Sequence, residues 1–181
     1  MSKNRLQEAC LLAAKSHEGQ WRDGADPVPY LTHPMEVLSN LRCIGGVIDE
    51  EILCAAILHD VIEVGTATTP MLEKKFGPRV TELVVGLTRK EPSAEEISGM
   101  TDDEIWQLRC DMLLSEIASM PPEVQQIKLA DRLSNVHQAF RTKKGRKLKR
   151  YVTQTKKILK IIPKSVNPAL WNAIRKELDA A

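Results

Sequence analysis

The chain has 181 residues, 43% of them hydrophobic and 28% charged, which excludes a disordered protein and predicts one globular domain over residues 1–181. The N-terminus does not resemble a signal peptide, no apolar run is long enough to span a membrane, and the four cysteines form no CxxC pair, so a reduced, cytoplasmic protein is predicted. The net charge of +2 conceals a basic segment at 141–164, which holds eleven Lys or Arg residues and no acid against an acidic remainder.

The first third of the chain is predicted to be helical around one polar loop. Apolar residues recur every three or four positions over 3–18, which predicts a first helix. Residues 19–29 are rich in Gly and Pro and predict a loop. A second helix is expected over 33–42, with Pro34 at a favourable early position. A third is expected from Asp49 through the apolar run to residue 63.

The remainder is predicted to be helical as well. The dipeptides Thr69-Pro70 and Gly77-Pro78 start two short helices, and the polar stretch 91–103 predicts a loop. Four longer helices are expected at 104–119, 122–140, 146–162 and 167–179. Because no internal repeat and no strand-like alternation occurs, the predicted fold class is all-α, a helical bundle of about eight to ten helices.

The most apolar predicted helix ends in a His-Asp pair. His59 and Asp60 follow the run CAAIL, where burying their side chains without partners would be costly. A metal ion is one such partner, and Glu63 is expected four residues after His59 on the same helix face.

His33 and Asp131 add two further candidate ligands from separate helices. With His59 and Asp60 they form a mixed nitrogen and oxygen set, which suits Mn²⁺, Fe²⁺ or Zn²⁺ better than Ca²⁺. The plainer alternative for Asp131 is a salt bridge to Lys128 or Arg132. The other two histidines, at positions 17 and 137, are interpreted as surface or satisfied core residues.

Five segments in this order carry a family resemblance: SHEGQWRDG, VPYLTHPMEV, AAILHDVIE, KKFGPRVTELVVGLT and IKLADRLSN, which together span residues 17–135. The chain resembles the HD hydrolase domain of the RelA/SpoT family, especially its stand-alone small alarmone hydrolases. The resemblance implies an HD-domain helical bundle and a metal-dependent 3′-pyrophosphohydrolase that acts on (p)ppGpp or (p)ppApp. It implies Mn²⁺ as the usual metal and leaves Zn²⁺ or Fe²⁺ as alternatives.

The same resemblance implies a role for eight residues. The positions that match the family's metal ligands are His33, His59, Asp60 and Asp131. Glu63 matches an acid that serves the attacking water. The positions that match substrate contacts are Arg22, Asn135 and Tyr151. From its charge, the basic segment at 141–164, which lies in the C-terminal helices at 141–181, is expected to attract the polyanionic nucleotide.

Two departures from the family pattern leave other functions open. Val64 stands where the family has a second acid, and Asp23 stands where it often has Lys. The alternatives are another HD nucleotide phosphatase, for example an NADPH phosphatase, and a non-catalytic nucleotide-binding sensor. A nucleic-acid binder is disfavoured because the basic run carries one aromatic residue, Tyr151. The expected partner is therefore a small-molecule nucleotide, with no nucleic acid and no membrane, and homo-oligomerisation stays open.

Overall fold

The computed structural model describes residues 4–180 of the chain, and within them it confirms an all-α fold. This part contains nine α-helices, a π-helical turn at Asn40–Ile44 and a short 3-10 helix at Lys164–Val166. The α-helices are α1 Arg5–Ser16, α2 Thr32–Ser39, α3 Glu50–Ile57, α4 Thr69–Phe76, α5 Pro78–Leu87, α6 Asp102–Ser119, α7 Pro122–Thr142, α8 Gly145–Ile161 and α9 Pro168–Asp179. The predicted helices match these bounds closely except at α3, and the predicted start at residue 3 lies outside the described residues.

Helices α3 and α7 form the centre of the bundle. Six consecutive residues of α3, Ile52–Ile57, are buried, and α1, α2 and α5 pack around them. Helix α7 packs against α2, α5, α8 and α9. None of the helices in the described part of the chain combines the length and apolar character that crossing a bilayer requires.

Helix α3 ends at Ile57, so the prediction that it continues to residue 63 is wrong. The imidazole of His59 donates from Nδ1 to the carbonyl of Ala56 at 2.9 Å. In a continued helix this carbonyl would accept from the amide of residue 60. The chain instead closes a tighter turn, in which the amide of Val61 donates to the carbonyl of Leu58. We name residues 58–65 the HD turn, since it carries His59 and Asp60.

The basic segment forms α8 and the residues around it. Helix α8 packs on α6, where Asp103 forms ion pairs with Arg146 and Arg150. The guanidinium of Arg150 also lies 4.8 Å from the ring centroid of Trp106. Much of the remaining positive charge of α8 is exposed to solvent, as at Lys149. The charge asymmetry seen in the sequence is therefore largely a surface property.

Replacing Asp49 with Ala is expected to lower the free energy of unfolding by about 1 kcal/mol, because Asp49 is the N-cap of α3. Its carboxylate accepts hydrogen bonds from the amides of Glu51 and Ile52 and pairs with Arg79 on the surface. Chemical denaturation followed by circular dichroism measures the change. Asp49→Asn keeps the capping oxygen and loses the charge, so it should lose clearly less stability. Equal losses in both variants would assign the effect to the exposed ion pair.

Candidate metal centre and its cavity

The predicted ligands lie between α2, the HD turn and α7, where His33, His59 and Asp60 bring ligand atoms within 4.8 Å of one another and Asp131 contacts the group through His33. His33 lies in the first turn of α2, and Asp131 lies midway along α7. The Nε2 atoms of His33 and His59 are 3.2 Å apart. Oδ1 of Asp60 lies 3.0 Å from the His59 Nε2 atom, and Oδ1 of Asp131 lies 3.4 Å from that of His33. Both imidazoles are only 3% exposed, so the group is largely shielded from water.

The hydrogen bonds at Nδ1 of His33 and His59 determine which ring nitrogen of each neutral imidazole carries the proton. His59 uses its Nδ1 proton on the carbonyl of Ala56. Nδ1 of His33 lies 2.9 Å from the hydroxyl of Ser134, which donates its own proton to Glu36. Ser134 must therefore accept from His33, so in the neutral form of each ring the Nε2 atom carries a lone pair. Two such atoms 3.2 Å apart need a cation between them, either a proton or a metal ion, and the donor set fits a metal ion.

The electrostatics of the group favour positive charge. Burial disfavours the charged form of His59, but Asp60 and Asp131 outweigh it and raise its pKa to about 9. Burial also disfavours the ionised forms of the two aspartates. The pKa of Asp60 nevertheless lies well below its usual range because of His59, and that of Asp131 because of Lys128 and the histidines. Both carboxylates are therefore available as anionic ligands.

Asp131 contacts both another candidate ligand, His33, and a predicted salt-bridge partner, Lys128. The ammonium of Lys128 lies 3.0 Å from Oδ2, so the predicted salt bridge exists beside the contact with His33. The side-chain amide of Asn135 donates to Oδ1. Arg132, the other predicted ion-pair partner, donates instead to Gln154. Asp131 thus joins the two imidazoles, through His33, to the ammonium of Lys128 on the same helix.

A cavity of about 410 Å³ opens over the centre. Its volume is within the range of small-molecule sites. Seven of the eight predicted site residues line it, and His59 lies behind them. The wall includes Trp21, Arg22, Asp23, Tyr30, Glu63, Arg89, Lys128, Arg132, Asn135, Lys143, Tyr151 and Gln154.

Glu63 reaches the cavity from the HD turn. The prediction that it shares a helix face with His59 is wrong, since α3 has already ended. Its carboxylate accepts the backbone amide of Arg89 at 2.7 Å and stays accessible to solvent. Partial burial by the surrounding wall raises the pKa of Glu63, although the Arg89 hydrogen bond opposes the change. The neighbouring Val64 does not line the cavity.

In the loop at 19–29, the side chain of Arg22 is largely buried, whereas that of Trp21 is exposed. The guanidinium of Arg22 donates to Glu36 at 3.0 Å and to Ser134 at 3.5 Å, and its side chain is only 9% exposed. The indole of Trp21 is 62% exposed at the mouth of the cavity. Asp23 lines the wall, and its carbonyl accepts from the side chain of Gln138.

Sequence reasoning missed several residues of the site. The hydroxyl of Tyr30 donates to Asp60 at 2.8 Å, and its ring lies edge-on to His33. Burial and the acidic neighbours raise its pKa, so it stays a donor. Tyr30 lies in the same motif as His33, and Ser134 directly precedes the predicted Asn135. Both residues could therefore have been proposed from the sequence.

The positive charge of the cavity comes mostly from outside the basic segment. Of the eleven basic residues at 141–164, which the structure describes completely, Lys143 alone lines the cavity. Helix α8 contributes Tyr151 and Gln154 instead. The remaining cations of the wall are Arg22, Arg89, Lys128 and Arg132.

Comparison with known proteins relates most of the chain to one family. The profile of the HD domain family matches residues 9–160. The bifunctional (p)ppGpp synthase/hydrolase SpoT of Escherichia coli K12 is 37% identical over an alignment of 141 residues, which covers 73% of this chain and 18% of that protein. The GTP pyrophosphokinase rsh of Brucella melitensis is 34% identical over 131 residues, which are 72% of this chain and 16% of that protein. The chain thus spans less than a fifth of these relatives.

Two solved structures share the helical fold of this chain along most of its length. A metazoan orthologue of SpoT, described as hydrolysing ppGpp and acting in starvation responses, superposes with a TM-score of 0.82 at 26% identity. The match covers 99% of this chain and 97% of that one. The Listeria monocytogenes protein lmo0812 shares the fold, with a TM-score of 0.62 at 22% identity over 84% of this chain and 94% of that one. The resemblance read from the sequence is confirmed.

Proposed function

This chain belongs to the HD domain family, and we propose that it is a divalent-metal-dependent hydrolase that removes the 3′-pyrophosphate from (p)ppGpp or (p)ppApp. The observation that carries the proposal is the pair of imidazole Nε2 atoms, 3.2 Å apart, beside two ionised carboxylates beneath a nucleotide-sized cavity. The similarity to SpoT and to a ppGpp-hydrolysing metazoan protein supports the choice of substrate. Residues 1–181 would then form one HD-type phosphohydrolase domain.

We propose that His33, His59, Asp60 and Asp131 hold the metal. The mixed nitrogen and oxygen set suits Mn²⁺, with Zn²⁺ and Fe²⁺ as alternatives. When bound, such an ion lowers the pKa of a water molecule and polarises a phosphoryl oxygen. The hydroxyl of Tyr30 fixes one oxygen of Asp60 and leaves the other directed toward His59.

The chain's own groups would handle the proton and the phosphate charge. Glu63 accepts the proton of the attacking water, and the amide of Arg89 holds its carboxylate in place. Lys128 and Arg132 lie on the wall and neutralise charge that grows on the phosphorus oxygens. Nε of Arg132 is buried and has no hydrogen-bond partner among residues 4–180, so the charge of this guanidinium acts on the cavity from within the wall.

The nucleoside would occupy the mouth of the cavity. Arg22 and Asn135 keep their predicted substrate roles here, with Tyr151 facing them from α8. Trp21 adds an exposed indole on which a base can stack.

The proposal is tested with the purified chain, Mn²⁺ and a panel of (p)ppGpp, (p)ppApp, NADPH and nucleoside monophosphates. We expect pyrophosphate from the 3′-pyrophosphorylated nucleotides, loss of activity with a chelator, and recovery with Mn²⁺. Orthophosphate from NADPH would instead indicate the alternative phosphatase. Tight nucleotide binding without turnover, with metal bound, would indicate the sensor.

Nucleotide binding is expected to quench the tryptophan fluorescence through Trp21. The wild type should show the quench on addition of (p)ppGpp, and Trp21→Phe should lose it. Trp21→Ala should also bind more weakly, because stacking on an aromatic ring contributes about 1–3 kcal/mol. Titration followed by fluorescence and by calorimetry measures both effects. Trp106→Phe is the matched control, since Trp106 contacts Arg150 and does not line the cavity. An unchanged quench in the Trp21 variant would place the base elsewhere.

A further inference from the structure

A chain of hydrogen bonds lies behind the imidazole of His33. Its Nδ1 atom is 2.9 Å from the hydroxyl of Ser134, and this hydroxyl donates to Oε2 of Glu36 at 2.7 Å. Ser134 is fully buried in α7, and Glu36 follows one turn after His33 in α2. The two helices are therefore joined directly behind the candidate metal centre.

The donors and acceptors allow one direction only. A carboxylate accepts and cannot donate, and a guanidinium donates and cannot accept. Ser134 must spend its single proton on Glu36, so it has only lone pairs to offer His33. The proton of His33 is thereby fixed on Nδ1, and Nε2 is left bare on the side where His59 and the aspartates lie.

The same carboxylate anchors the loop at 19–29. Arg22 donates to Oε2 of Glu36 at 3.0 Å, and Nδ1 of His137 lies 3.1 Å from Oε1. A residue on the wall of the cavity and a ligand on its floor are thus connected through Glu36.

We propose that Ser134 and Glu36 are positioning residues, which hold the Nε2 atom of His33 toward the metal and connect this ligand to Arg22 of the loop. The inference rests on the proposed function for its use of a metal, but the geometry behind it is independent of hydrolysis. Residues behind a ligating histidine fix its tautomer and ring orientation, and their loss typically costs 10–100-fold in metal affinity or activity.

The first test replaces Ser134 with Ala. Two measurements are made on the metal-free protein: the tautomer of His33 by long-range ¹H–¹⁵N NMR, and the affinity for Mn²⁺ by calorimetry. We expect the wild type to carry the His33 proton on Nδ1, and Ser134→Ala to show a mixture of tautomers with Mn²⁺ binding weakened by about 10–100-fold. Ser16→Ala is the matched control, because Ser16 is also buried and its hydroxyl has no hydrogen-bond partner among residues 4–180.

A second pair of variants separates positioning from packing. Glu36→Gln keeps an oxygen that can accept from Ser134, so it should retain the tautomer and most of the affinity. Glu36→Ala removes that oxygen and should behave like Ser134→Ala. Thermal unfolding of each metal-free variant shows whether the fold persists.

Either of two results would overturn the proposal. One is a Ser134→Ala protein that keeps the wild-type tautomer and affinity. The other is an equal loss of affinity in Ser16→Ala, which would assign the effect to packing. A wild type that shows the expected tautomer but binds no metal would leave the hydrogen-bond chain in place and reject the proposed hydrolase instead.

Discussion

Replacing Asp60 with Asn is expected to abolish Mn²⁺ binding and hydrolysis together. The carboxylate supplies one of two negative charges beside the paired imidazoles, and its Oδ1 atom lies 3.0 Å from Nε2 of His59. Asparagine keeps the shape and an oxygen that can still accept from Tyr30, so the fold should persist. Since residues behind a ligand already contribute about 10–100-fold, the loss of a ligand should exceed about 100-fold in both affinity and kcat/KM.

Calorimetry with Mn²⁺ and a pyrophosphate-release assay measure the two losses. Asp111→Asn is the matched control, because Asp111 is exposed on α6 and bonds only to Gln107 of its own helix in the described part of the chain. An Asp60→Asn protein with wild-type affinity for Mn²⁺ would remove Asp60 from the ligand set.

Replacing Glu63 with Gln is expected to lower kcat by about 10²–10⁴-fold while Mn²⁺ binding stays intact. Glutamine can still accept the amide of Arg89, but it cannot take a proton from water at neutral pH. Measuring kcat and the affinity for Mn²⁺ together distinguishes Glu63 from Asp60, because the loss of Asp60 should remove both hydrolysis and metal binding. A variant with wild-type turnover would assign the proton transfer to another group.

The pH dependence of kcat provides a second check on Glu63. Partial burial raises its pKa, and a base works only when it is ionised, so kcat should rise with pH through a value above the usual range of a glutamate. This acidic limb should be absent from the residual rate of Glu63→Gln. Glu116→Gln is the control. The carboxylate of Glu116 accepts the backbone amide of Lys90, the residue after Arg89, but Glu116 does not line the cavity. Its pH profile should match that of the wild type.

The sequence predicted the helices well because their signals are local. The periodicity of apolar residues and the dipeptides Thr69-Pro70 and Gly77-Pro78 act within one or two turns, and the corresponding helices begin where these signals lie. The candidate ligands could also be proposed from the sequence, since His33, His59, Asp60 and Asp131 lie in recognisable short motifs, and the structure brings them near one another.

The parts that could not be predicted depend on contacts between distant segments. Arg22 and Ser134 are 112 positions apart, and nothing in either motif indicates that both bond to Glu36. Val64 stands where the family has a second acid, yet Val64 does not line the cavity whereas Glu63 does. Which side chains share a wall is a property of the packed bundle.

The bond between His59 and the carbonyl of Ala56 gives one residue two tasks. The imidazole that would bind the metal also bonds to a carbonyl in the last turn of α3. A substitution such as His59→Ala would therefore remove a ligand and, with it, a bond that ties the HD turn to the end of α3. His59 thus contributes both to the candidate metal centre and to the turn that presents Asp60 and Glu63.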